Sequence, residues 1–408
     1  MKKTIIVGVT GSIAAYKALA LVEALKKQGN MVYVVMTRGA CSLVDEKEFA
    51  KASGQQVFTH VFHPDTDFHS YLAHDKPMKH ISLADEADLI LVCPATANMM
   101  AKVACGLADD LLTTTILATN APVVFAPAMN VKMWKNKVTQ ENVEKLKELG
   151  YYIIDPEYGD LACGYKGVGR LANGEKILSV VADLLAKGSQ LSGKKVIVTA
   201  GATVEKLDAV RVITNKASGK MGAALSDEAF LRGAEVVLIR GKHAVSPQYF
   251  FEEIVVESAD EMSRVLQTQA IDADIVFHTA AISDFVAKEK INRKVKSTKE
   301  WMLALEPNIK IIDRLKKINP QMFLAGFKAE HDVLQKELIE SAKEVLKRAG
   351  TDIIVANDVG KKGRGFGSDT NEVYIVDKKG NVTHLPLASK KDIARKILDY
   401  VVDRFCSR

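Results

Sequence analysis

The sequence lacks the features that define several classes of protein. Its five cysteines form no Cys-x-x-Cys pair, and an odd number of scattered cysteines predicts free thiols in a reducing cytoplasm rather than a disulfide framework. No apolar run reaches the ~18 residues of a membrane-spanning helix, which predicts a soluble chain. With ten prolines, 26 glycines and 48% hydrophobic residues, the composition is that of a globular protein and argues against disorder, collagen and coiled coil.

An excess of charge of one sign is also missing. The 56 basic and 50 acidic residues leave a net charge of +6, which is spread along the chain. This surplus is too small for a polybasic arm that binds nucleic acid or a membrane, so we predict neither partner. It is compatible with small anionic ligands.

The first residues have two features of a secretory signal, because two lysines precede an apolar stretch and Ala-Leu-Ala at 18–20 could be cleaved. Gly8, Gly11 and Ser12 break that stretch, however, and Lys17 interrupts the apolar residues after it. The pattern therefore indicates a strand, a glycine turn, a helix and a second strand at 31–36.

The length of 408 residues, at about 150 residues per domain, predicts two or three domains. A strand followed by glycine opens the segments 3–11 and 195–201, a pattern typical of the first βα unit of a doubly wound sheet. A polar stretch with flanking glycines at 187–193 has the composition of a linker. We therefore predict a domain at 1–186, a linker at 187–193 and a domain at 194–408.

Apolar runs alternate with helical patterns in both halves, which predicts two α/β domains with doubly wound, Rossmann-like parallel sheets. The runs lie at 88–93, 121–126, 151–154, 235–239, 273–278, 322–326 and 352–356. Near the C-terminal end, the sequence predicts a hairpin that turns at 379–381 and a helix from about 390 to 405. Segments 60–79 and 155–170 have little periodicity and are predicted to be loops of the kind that form lids or flaps. In such sheets, ligands bind beyond the carboxyl ends of the strands.

The turn Gly8-Val-Thr-Gly-Ser12 comes after the first predicted strand and opens a helix. Backbone N–H groups and the helix dipole can bind a phosphate there, assisted by the Ser12 hydroxyl. The turn is not Gly-x-Gly-x-x-Gly, and the second strand ends in Met36-Thr-Arg38 without the acidic residue that binds a nicotinamide ribose. A mononucleotide therefore fits better than NAD. The alternative is a glycine turn with no ligand.

Four motifs that come after predicted strands or lie in loops of the first half share one resemblance. They are Cys93-Pro-Ala-Thr-Ala-Asn98, Gly106-Leu-Ala-Asp-Asp110, Ala126-Pro-Ala-Met-Asn130 and Ala162-Cys-Gly-Tyr-Lys-Gly-Val-Gly-Arg170. Together with the Gly-Ser-Ile turn, they resemble the flavin-containing cysteine decarboxylase family. Within it, they look like the decarboxylase half of the bifunctional coenzyme A biosynthesis enzymes, which join a phosphopantothenoylcysteine decarboxylase to a phosphopantothenate–cysteine ligase. The resemblance covers nearly the whole chain.

For the first half, the resemblance implies an FMN-dependent decarboxylase with three active-site residues. His80 corresponds to the family's active-site histidine, Asn130 to its substrate-carboxylate asparagine and Cys163 to its flap cysteine. Flavin oxidation of the substrate thiol to a thioaldehyde would let CO2 leave, with His80 handling a proton and Cys163 protonating the enethiolate as hydride returns. The residues implied to contact FMN are Gly11, Ser12, Thr37, Thr96, Ala97 and Asn98.

Without the resemblance, the same residues have structural alternatives. Met78-Lys-His80 could merely begin a helix, and Asn130 could be a turn or cap residue. Cys163 is the stronger candidate because it lies in a glycine-rich loop. The four histidines between residues 60 and 74 match no metal-site spacing, so we assign no metal site to them.

The second half matches the ligase half of the same bifunctional family. The motifs are Gly201-Ala-Thr-Val-Glu-Lys-Leu-Asp208, Val210-Arg-Val-Ile-Thr-Asn-Lys-Ala-Ser-Gly-Lys-Met-Gly222, Ala280-Ala-Ile-Ser-Asp-Phe285, Gly326-Phe-Lys-Ala-Glu330, Ala356-Asn-Asp-Val359 and Gly365-Phe-Gly-Ser-Asp369. Ser218-Gly-Lys220 opens a helix and would offer N–H donors and a cation to a triphosphate, although it is not a Walker motif. The resemblance implies that CTP, with Mg2+, activates the carboxylate of 4′-phosphopantothenate as an acyl-cytidylate, which the amine of cysteine then attacks.

The family's essential lysine lies ten residues after the aspartate of its AAxxDF motif, which gives Lys294 when counted from Asp284. Ser297 replaces the last lysine of the family's KxKK run, so Lys290 and Lys296 are alternatives for the same role. Read without the resemblance, this lysine-rich stretch is a solvated basic loop.

Asn215 corresponds to the residue that the family needs to convert the acyl-cytidylate. Ala202 and Ala209 stand where the family commonly has proline, which affects loop stiffness more than chemistry. The residues implied to contact CTP are Gly201, Ala202, Thr203, Ala280, Asp284, Lys294, Phe327 and Lys328. No metal ligand is assigned.

Two other classes of function are compatible with parts of the sequence. A flavin-binding regulatory protein could share the first fold, but this chain has the histidine, asparagine and cysteine of the active site together. A nicotinamide-dependent reductase could be built on two Rossmann domains and would be colourless. The resemblance also implies a homo-oligomer, in which trimeric decarboxylase contacts and dimeric ligase contacts would combine into a dodecamer.

Overall fold

The computed structural model of the protein describes residues 2–62, 78–161, 164–289, 291–296 and 300–406. The chain divides into two units, Met1–Ala186 and Lys187–Arg408. Each unit contains one large β-sheet with helices packed against it.

Six strands of the first unit form one sheet: β1 (Thr4–Val9), β2 (Met31–Met36), β3 (Val57–Phe58), β4 (Leu89–Ala95), β5 (Val123–Pro127) and β6 (Tyr152–Ile153). All are parallel, in the order β3–β2–β1–β4–β5–β6. Every residue of β4 is buried, because a parallel sheet of this kind is covered on both faces. The order reverses between β1 and β4, and this switch point is where doubly wound sheets bind ligands.

The described helices of the first unit are α1 (Lys17–Lys27), α2 (Arg38–Cys41), α3 (Glu46–Ser53), α4 (Lys79–Glu86), α5 (Ala97–Ala104), α6 (Leu111–Ala118), α7 (Val131–Trp134), α8 (Lys137–Glu148) and α9 (Gly174–Leu185), with a 3-10 helix at Ile13–Tyr16 before α1. Side-chain caps begin the two helices after β4. Thr96 caps α5 by accepting from Met99 N–H at 3.3 Å, and Asp110 caps α6 by accepting from Thr113 N–H at 2.8 Å. The motif at 106–110 therefore has a structural role in starting α6.

The segment 155–170 forms an antiparallel hairpin of β7 (Glu157–Asp160) and β8 (Lys166–Arg170), where the sequence predicted an irregular loop. Glycine is depleted in ordinary strands, so its frequency in this segment hid the strands from the sequence pattern. The segment 60–79 lies mostly outside the described residues.

The strands of the second unit are β9 (Lys195–Ala200), β10 (Val204–Lys206), β11 (Val212–Thr214), β12 (Glu235–Gly241), β13 (Glu252–Val256), β14 (Ile275–His278), β15 (Phe285–Ala287), β16 (Leu305–Pro307), β17 (Phe323–Glu330), β18 (Ile353–Asp358), β19 (Thr370–Asp377) and β20 (Val382–Ser389). Eight of them form a sheet in the order β13–β12–β9–β14–β17–β18–β19–β20. The first six are parallel, and the predicted hairpin β19–β20 adds two antiparallel strands at one edge. The pairs β10–β11 and β15–β16 form two small sheets.

The described helices of the second unit are α10 (Lys220–Leu231), α11 (Ala259–Gln269), α12 (Ile312–Ile318), α13 (Gln335–Ala349) and α14 (Lys390–Phe405), with a 3-10 helix at Ala270–Asp272. Alternate residues of β9 belong to different cores. Val196 and Val198 pack in the core that contains α10 and α14, and Ile197 packs in the core that contains α11 and α12. Helices on both faces confirm the predicted doubly wound fold.

The segment predicted as a linker, 187–193, is hydrogen-bonded to the second unit. Gly188 N–H donates to the Leu231 carbonyl at 2.8 Å, and Leu191 N–H donates to the Arg232 carbonyl at 2.9 Å. Leu191 is fully buried in the core of that unit. The Leu191 side chain and these two backbone hydrogen bonds therefore anchor the segment to the second unit.

Within the described residues, no helix is both long enough and apolar enough to cross a membrane.

Candidate active sites at two sheet edges

In the first unit, hydrogen bonds join the loops after β1, β4 and β5. The Thr10 hydroxyl donates to the Pro94 carbonyl at 2.6 Å and accepts from Thr96 N–H at 3.1 Å. The Ser12 hydroxyl donates to the Ala128 carbonyl at 3.3 Å. These bonds hold three loops together at the carboxyl ends of the strands.

The joined loops surround a cleft of about 830 Å³, a volume within the usual range of small-molecule sites. The predicted residues Gly11, Ser12, Thr96, Ala97 and Asn130 line it. The other lining residues are Ile13, Ala14, Tyr16, Lys17, Ala128, Met129, Met133, Asp160, Leu161, Gly169, Arg170 and Leu171.

Two other predicted flavin contacts lie next to these loops rather than in the cleft wall. Thr37 comes directly after β2, and its N–H donates to the Val9 carbonyl at 3.0 Å. Asn98 is exposed in the first turn of α5. A Cβ atom on Gly11 would lie 3.1 Å from Gly39 Cα, so glycine permits the close approach of the loops after β1 and β2.

The hairpin β7–β8 forms one wall of the cleft. Met129 N–H donates to the Gly169 carbonyl at 3.0 Å, and a Cβ atom on Gly169 would lie 2.3 Å from the Met129 carbonyl oxygen. Only glycine allows this contact between the hairpin and the loop after β5. The glycine-rich motif thus lets the backbone of the hairpin pack directly against the backbone of the loop after β5.

The chemistry of the cleft fits a flat ring with an anionic arm. Ser12 caps the 3-10 helix that leads into α1, so N–H groups point toward the loop, and Lys17 and Arg170 add positive charge. The side chains of Ile13, Met129 and other apolar lining residues offer packing for a ring.

The three predicted catalytic residues of the first unit are in different situations. His80 is the second residue of α4, so residues 78–80 begin a helix, as expected if His80 had no catalytic role. Its Nδ1 atom is nevertheless buried with no hydrogen-bond partner among the described residues. It is not among the residues that line the cleft. Asn130 caps α7 by accepting from Lys132 N–H at 2.8 Å. Cys163 lies outside the described residues.

Loops at the carboxyl ends of the strands in the second unit enclose a smaller cavity of about 160 Å³. Of the predicted nucleotide contacts, Gly201, Ala280 and Phe327 line it. The other lining residues are Ala217, Ser218, Gly219, Lys220, Met221, Gly222, Thr279, Ala281, Ala329, Asn357, Arg364, Gly365, Phe366, Asn371 and Lys390.

The remaining predicted nucleotide contacts lie outside this cavity wall. Ala202 forms a bridge to Ala281, and the buried Thr203 hydroxyl accepts from Ser283 N–H at 3.0 Å. Two charged residues are ion-paired, Asp284 with Lys310 and Lys328 with Glu330. Lys294 and Lys296 are exposed in segment 291–296, and Lys290 lies outside the described residues.

Two polar side chains join the strand ends around this cavity. Asn215 Nδ2 donates to the carbonyls of Ala281 and Ile282 at 3.2 and 3.3 Å. The Thr199 hydroxyl accepts from Ala280 N–H at 3.1 Å and lies 3.0 Å from Nδ1 of His278. Burial lowers the pKa of His278 to about 4, so this histidine is neutral at pH 7.

The start of α10 contacts the loop 363–369. The Ser218 hydroxyl donates to the Phe366 carbonyl at 2.5 Å, and Lys220 Nζ donates to the Gly367 carbonyl at 2.8 Å. Lys220 also pairs with Asp369 at 2.6 Å, and this hydrogen bond lowers the pKa of the Asp369 carboxyl. The predicted helix start at 218–220 is confirmed.

The sequence interpretation missed Asp208 as a structural centre next to the predicted catalytic loop. Its carboxylate accepts from Val210 N–H at 2.8 Å and Val295 N–H at 3.2 Å, and it pairs with Arg211 at 2.6 Å. Burial alone would raise the pKa of Asp208, but the N–H donors of Val210, Val295 and Arg211 and the Arg211 guanidinium lower it to about 2. Asp208 thus connects the β10–β11 turn to the segment that carries Lys294.

Arg364 and Lys390 were also missed, although both line the cavity of the second unit. Neither belongs to a motif with a phosphate-binding pattern. Within the described residues, no group of three or more His, Cys, Asp or Glu side chains has the arrangement of a metal site.

Comparisons with known proteins agree with this division of the chain. Residues 1–186 match the family model described as Flavoprotein, and residues 191–405 match that of the DNA/pantothenate metabolism flavoprotein C-terminal domain. The fold, the two sites and these matches define a two-part flavoprotein.

Two relatives are similar over almost the whole chain. The coenzyme A biosynthesis bifunctional protein CoaBC of Thermococcus kodakarensis is 39% identical over 98% of this chain and 94% of its own length. That of Bacillus subtilis is 40% identical over 98% of this chain and 96% of its own length. A crystal structure of a CoaBC C-terminal domain is 32% identical, with a TM-score of 0.46, and covers 54% of this chain and all of that domain. The chain belongs to the family of CoaBC bifunctional proteins and is an enzyme with decarboxylase and ligase activities.

Proposed function

We propose that the protein converts 4′-phosphopantothenate, cysteine and CTP into 4′-phosphopantetheine in two steps. The second unit joins cysteine to the substrate, and the first unit removes the carboxylate of the joined cysteine with the help of FMN. One observation carries the proposal: Gly11, Ser12, Thr96, Ala97 and Asn130 surround one cleft at the switch point of the first sheet.

In the first unit, the turn at Gly11 and Ser12 would bind the phosphate of FMN, and Thr96 and Ala97 would lie against its ring system. When bound, FMN would supply a two-electron acceptor for the substrate thiol and, once CO2 has left, the same two electrons as hydride, so that the reaction involves no net oxidation. Asn130 uses its amide oxygen to cap α7, so its Nδ2 is the atom that would donate to the substrate carboxylate. His80 would handle the proton released in thiol oxidation, and Cys163 would return a proton to carbon after CO2 leaves.

In the second unit, the substrate carboxylate would attack the α-phosphate of CTP and release pyrophosphate. Gly201, Ala280 and Phe327 support this proposal because they line the cavity at the strand ends. Lys294, from the exposed segment 291–296, would stabilise charge on the phosphates, and Mg2+ would share that role. Asn215 would position the acyl-cytidylate for attack by the amine of cysteine, with CMP as the leaving group.

The proposed function is tested by incubating the purified protein with 4′-phosphopantothenate, cysteine, CTP and Mg2+ and identifying the products by mass spectrometry. We expect 4′-phosphopantetheine, pyrophosphate, CMP and CO2, and a protein that absorbs near 450 nm, about where oxidised flavin absorbs. A colourless protein that binds NADPH and forms no product would contradict the proposal. The cytoplasmic location and the oligomeric state stay predictions from the sequence.

A further inference from the structure

The cavity in the second unit has three cationic side chains in its wall. Lys220 begins α10, Arg364 lies in the loop after β18, and Lys390 begins α14. The cavity volume of about 160 Å³ is below the ~300 Å³ at which whole small-molecule sites begin. The cavity therefore has room for one part of a ligand rather than for a complete nucleotide.

Lys390 is a buried cation without a carboxylate of its own. The residue is only 8% exposed, and its Nζ atom donates to the Phe366 carbonyl at 3.3 Å. Among the described residues, no carboxylate lies within ion-pair distance of this Nζ. Burial and the positive charge of Lys220 lower the pKa of Lys390 to about 8, and Asp369 opposes both. The fold thus keeps a desolvated ammonium group at the cavity wall, which is unfavourable unless an anion joins it.

Arg364 also has a buried donor atom in this cavity wall. Its guanidinium forms an ion pair with Glu372, but its Nε atom is buried without a hydrogen-bond partner among the described residues. Lys220, by contrast, has both Asp369 and the Gly367 carbonyl as partners. Among the described side chains of the cavity wall, Arg364 Nε therefore has no acceptor, and Lys390 Nζ has a carbonyl acceptor but no carboxylate.

We propose that Lys390 and Arg364 bind a phosphate group in this cavity, together with Lys220 and the N–H groups at the start of α10. A phosphate oxygen would accept from Lys390 Nζ and Arg364 Nε and would supply the negative charge that the buried ammonium lacks. The inference rests on the proposed ligase function, to which it adds two binding residues. The triphosphate of CTP and the phosphate of 4′-phosphopantothenate share the required chemistry.

Calorimetric titration of the full chain distinguishes these sources. CTP, inorganic pyrophosphate and 4′-phosphopantothenate are titrated separately into the wild type, Lys390→Gln and the control Lys391→Gln, which removes the same charge one residue further along α14. We expect Lys390→Gln to raise Kd by about 10- to 100-fold, the usual effect of losing a charged hydrogen bond, and Lys391→Gln to change it less than threefold.

A loss confined to CTP and pyrophosphate assigns the cavity to the triphosphate, and a loss confined to 4′-phosphopantothenate assigns it to that substrate. Unchanged Kd values for all three probes would overturn the proposal. Arg364→Gln should weaken the same probe, and Lys390→Arg should restore most of its affinity because the charge returns.

The thermal stability of the Lys390→Gln variant distinguishes phosphate binding from a purely structural role of Lys390. Because its ammonium is buried at a cost, Lys390→Gln should leave the Tm of the ligand-free protein unchanged or raise it. A variant with lower Tm and wild-type affinity would show that Lys390 only supports the fold.

The pH dependence of the wild type gives a test without a variant at this position. The charged groups that act on Lys390 are Lys220 on α10 and Asp369 in the loop 363–369, and Arg364 of the same loop lines the same cavity. A bound phosphate favours the charged form of Lys390, so binding should take up a proton and weaken as the pH rises from 7.5 to 9.5. Lys390→Arg should lose this decrease, and a wild-type Kd that is independent of pH over this range would contradict the proposal.

The result for the cavity is separable from the result for the proposed function. If the wild type releases no pyrophosphate from CTP in the presence of 4′-phosphopantothenate, the ligase function is wrong. Binding of inorganic pyrophosphate to wild type and Lys390→Gln still decides whether the cavity recognises phosphate.

Discussion

Single residues at both sites differ in whether their polar atoms have partners within the fold. Thr10 and Thr199 use their hydroxyls to join neighbouring strand ends, and both are buried. His80 Nδ1 and Arg364 Nε, in contrast, are buried without partners among the described residues. The first kind of residue builds the site, and the second kind marks where a ligand or another group is expected.

We expect Thr10→Val to weaken the first site. Valine has nearly the shape of threonine, but the Pro94 carbonyl loses its donor and Thr96 N–H loses its acceptor, which should cost about 1–3 kcal/mol of unfolding free energy. Because Thr96 lies in the cleft wall, the affinity for flavin should fall as well. Urea unfolding and flavin titration measure the two effects, and Thr10→Ser, which retains the hydroxyl, is the control. Equal flavin affinity in both variants would show that the hydroxyl does not position the loop.

At the scale of secondary-structure elements, short connections position functional loops on the two sheets. The hairpin β7–β8 docks on the loop after β5 through its backbone, and the β10–β11 turn reaches the 291–296 segment through the carboxylate of Asp208. In both cases a few contacts of a short connection help to position an adjacent functional segment.

Gly169→Ala should displace the hairpin. The new Cβ atom would lie 2.3 Å from the Met129 carbonyl oxygen, so either the hairpin or the loop with Asn130 must move. We expect loss of CO2 release and weaker flavin binding, with pyrophosphate release by the second unit unchanged. Gly150→Ala is the control, because Gly150 also has positive φ but its Cβ atom would meet nothing within 4 Å. Decarboxylation at the wild-type rate in Gly169→Ala would contradict this account of the hairpin.

Asp208→Asn should release the segment that carries Lys294. The variant loses the negative charge that holds Arg211 and weakens the bond from Val295 N–H, so we expect the kcat of the ligase step to fall at least tenfold while flavin binding is retained. Rapid-quench assays of acyl-cytidylate formation measure the effect. The exposed ion pair of Asp260 with Arg264 offers a control in Asp260→Asn.

The same variant has a defined pH dependence of stability. The pKa of Asp208 is about 2 in the folded protein and about 3.9 in an unfolded chain. Its ionised form therefore stabilises the fold above pH ~4, and this contribution is lost as the pH falls from about 4 toward 2. The difference in unfolding free energy between wild type and Asp208→Asn should be constant at neutral pH and shrink below pH 4. A difference that does not change with pH would mean that the charge of Asp208 is not what stabilises the turn.

At the scale of the whole molecule, each unit has its own hydrophobic core and its own site at the carboxyl edge of its own sheet. Within the described residues, each of these core clusters draws its side chains from one unit, so we expect a local change in one site to leave the fold of the other unit intact. This organisation fits an enzyme that performs two chemically different steps.

We therefore expect the two activities to be separable by single substitutions. Cys163→Ser should stop complete decarboxylation and let 4′-phosphopantothenoylcysteine accumulate, while the ligase step continues. Lys294→Gln should abolish acyl-cytidylate formation, while the protein still binds flavin and decarboxylates 4′-phosphopantothenoylcysteine that is supplied to it. Mass spectrometry of the products monitors both steps, and Lys296→Gln shows whether the neighbouring lysine shares the role. Full CO2 release and product yield by Cys163→Ser would refute its assignment as proton donor.

The succession of elements and the class of fold could be predicted from the amino-acid sequence. Strand β2 lies at the predicted residues 31–36, and α14 covers the predicted 390–405, because apolar periodicity, glycine turns and caps act over a few neighbouring residues. The motifs after β1, β4 and β5 converge on one cleft, since parallel strands end at the same edge of a sheet. The glycine-rich hairpin of 157–170 was missed because its strands lack the usual apolar alternation.

The contacts between side chains that are distant in sequence could not be predicted in this way, because they form only when the chain is folded. Lys390 belongs to no motif, and it lies in the same cavity wall as the start of α10 because α10 and α14 pack in one core. Asp208 controls the backbone of Val295 only once two loops far apart in the chain come together. Local patterns encode strands, helices and turns, but burial, ion pairing and unmatched donors depend on packing between segments distant in sequence, and these properties select the binding residues.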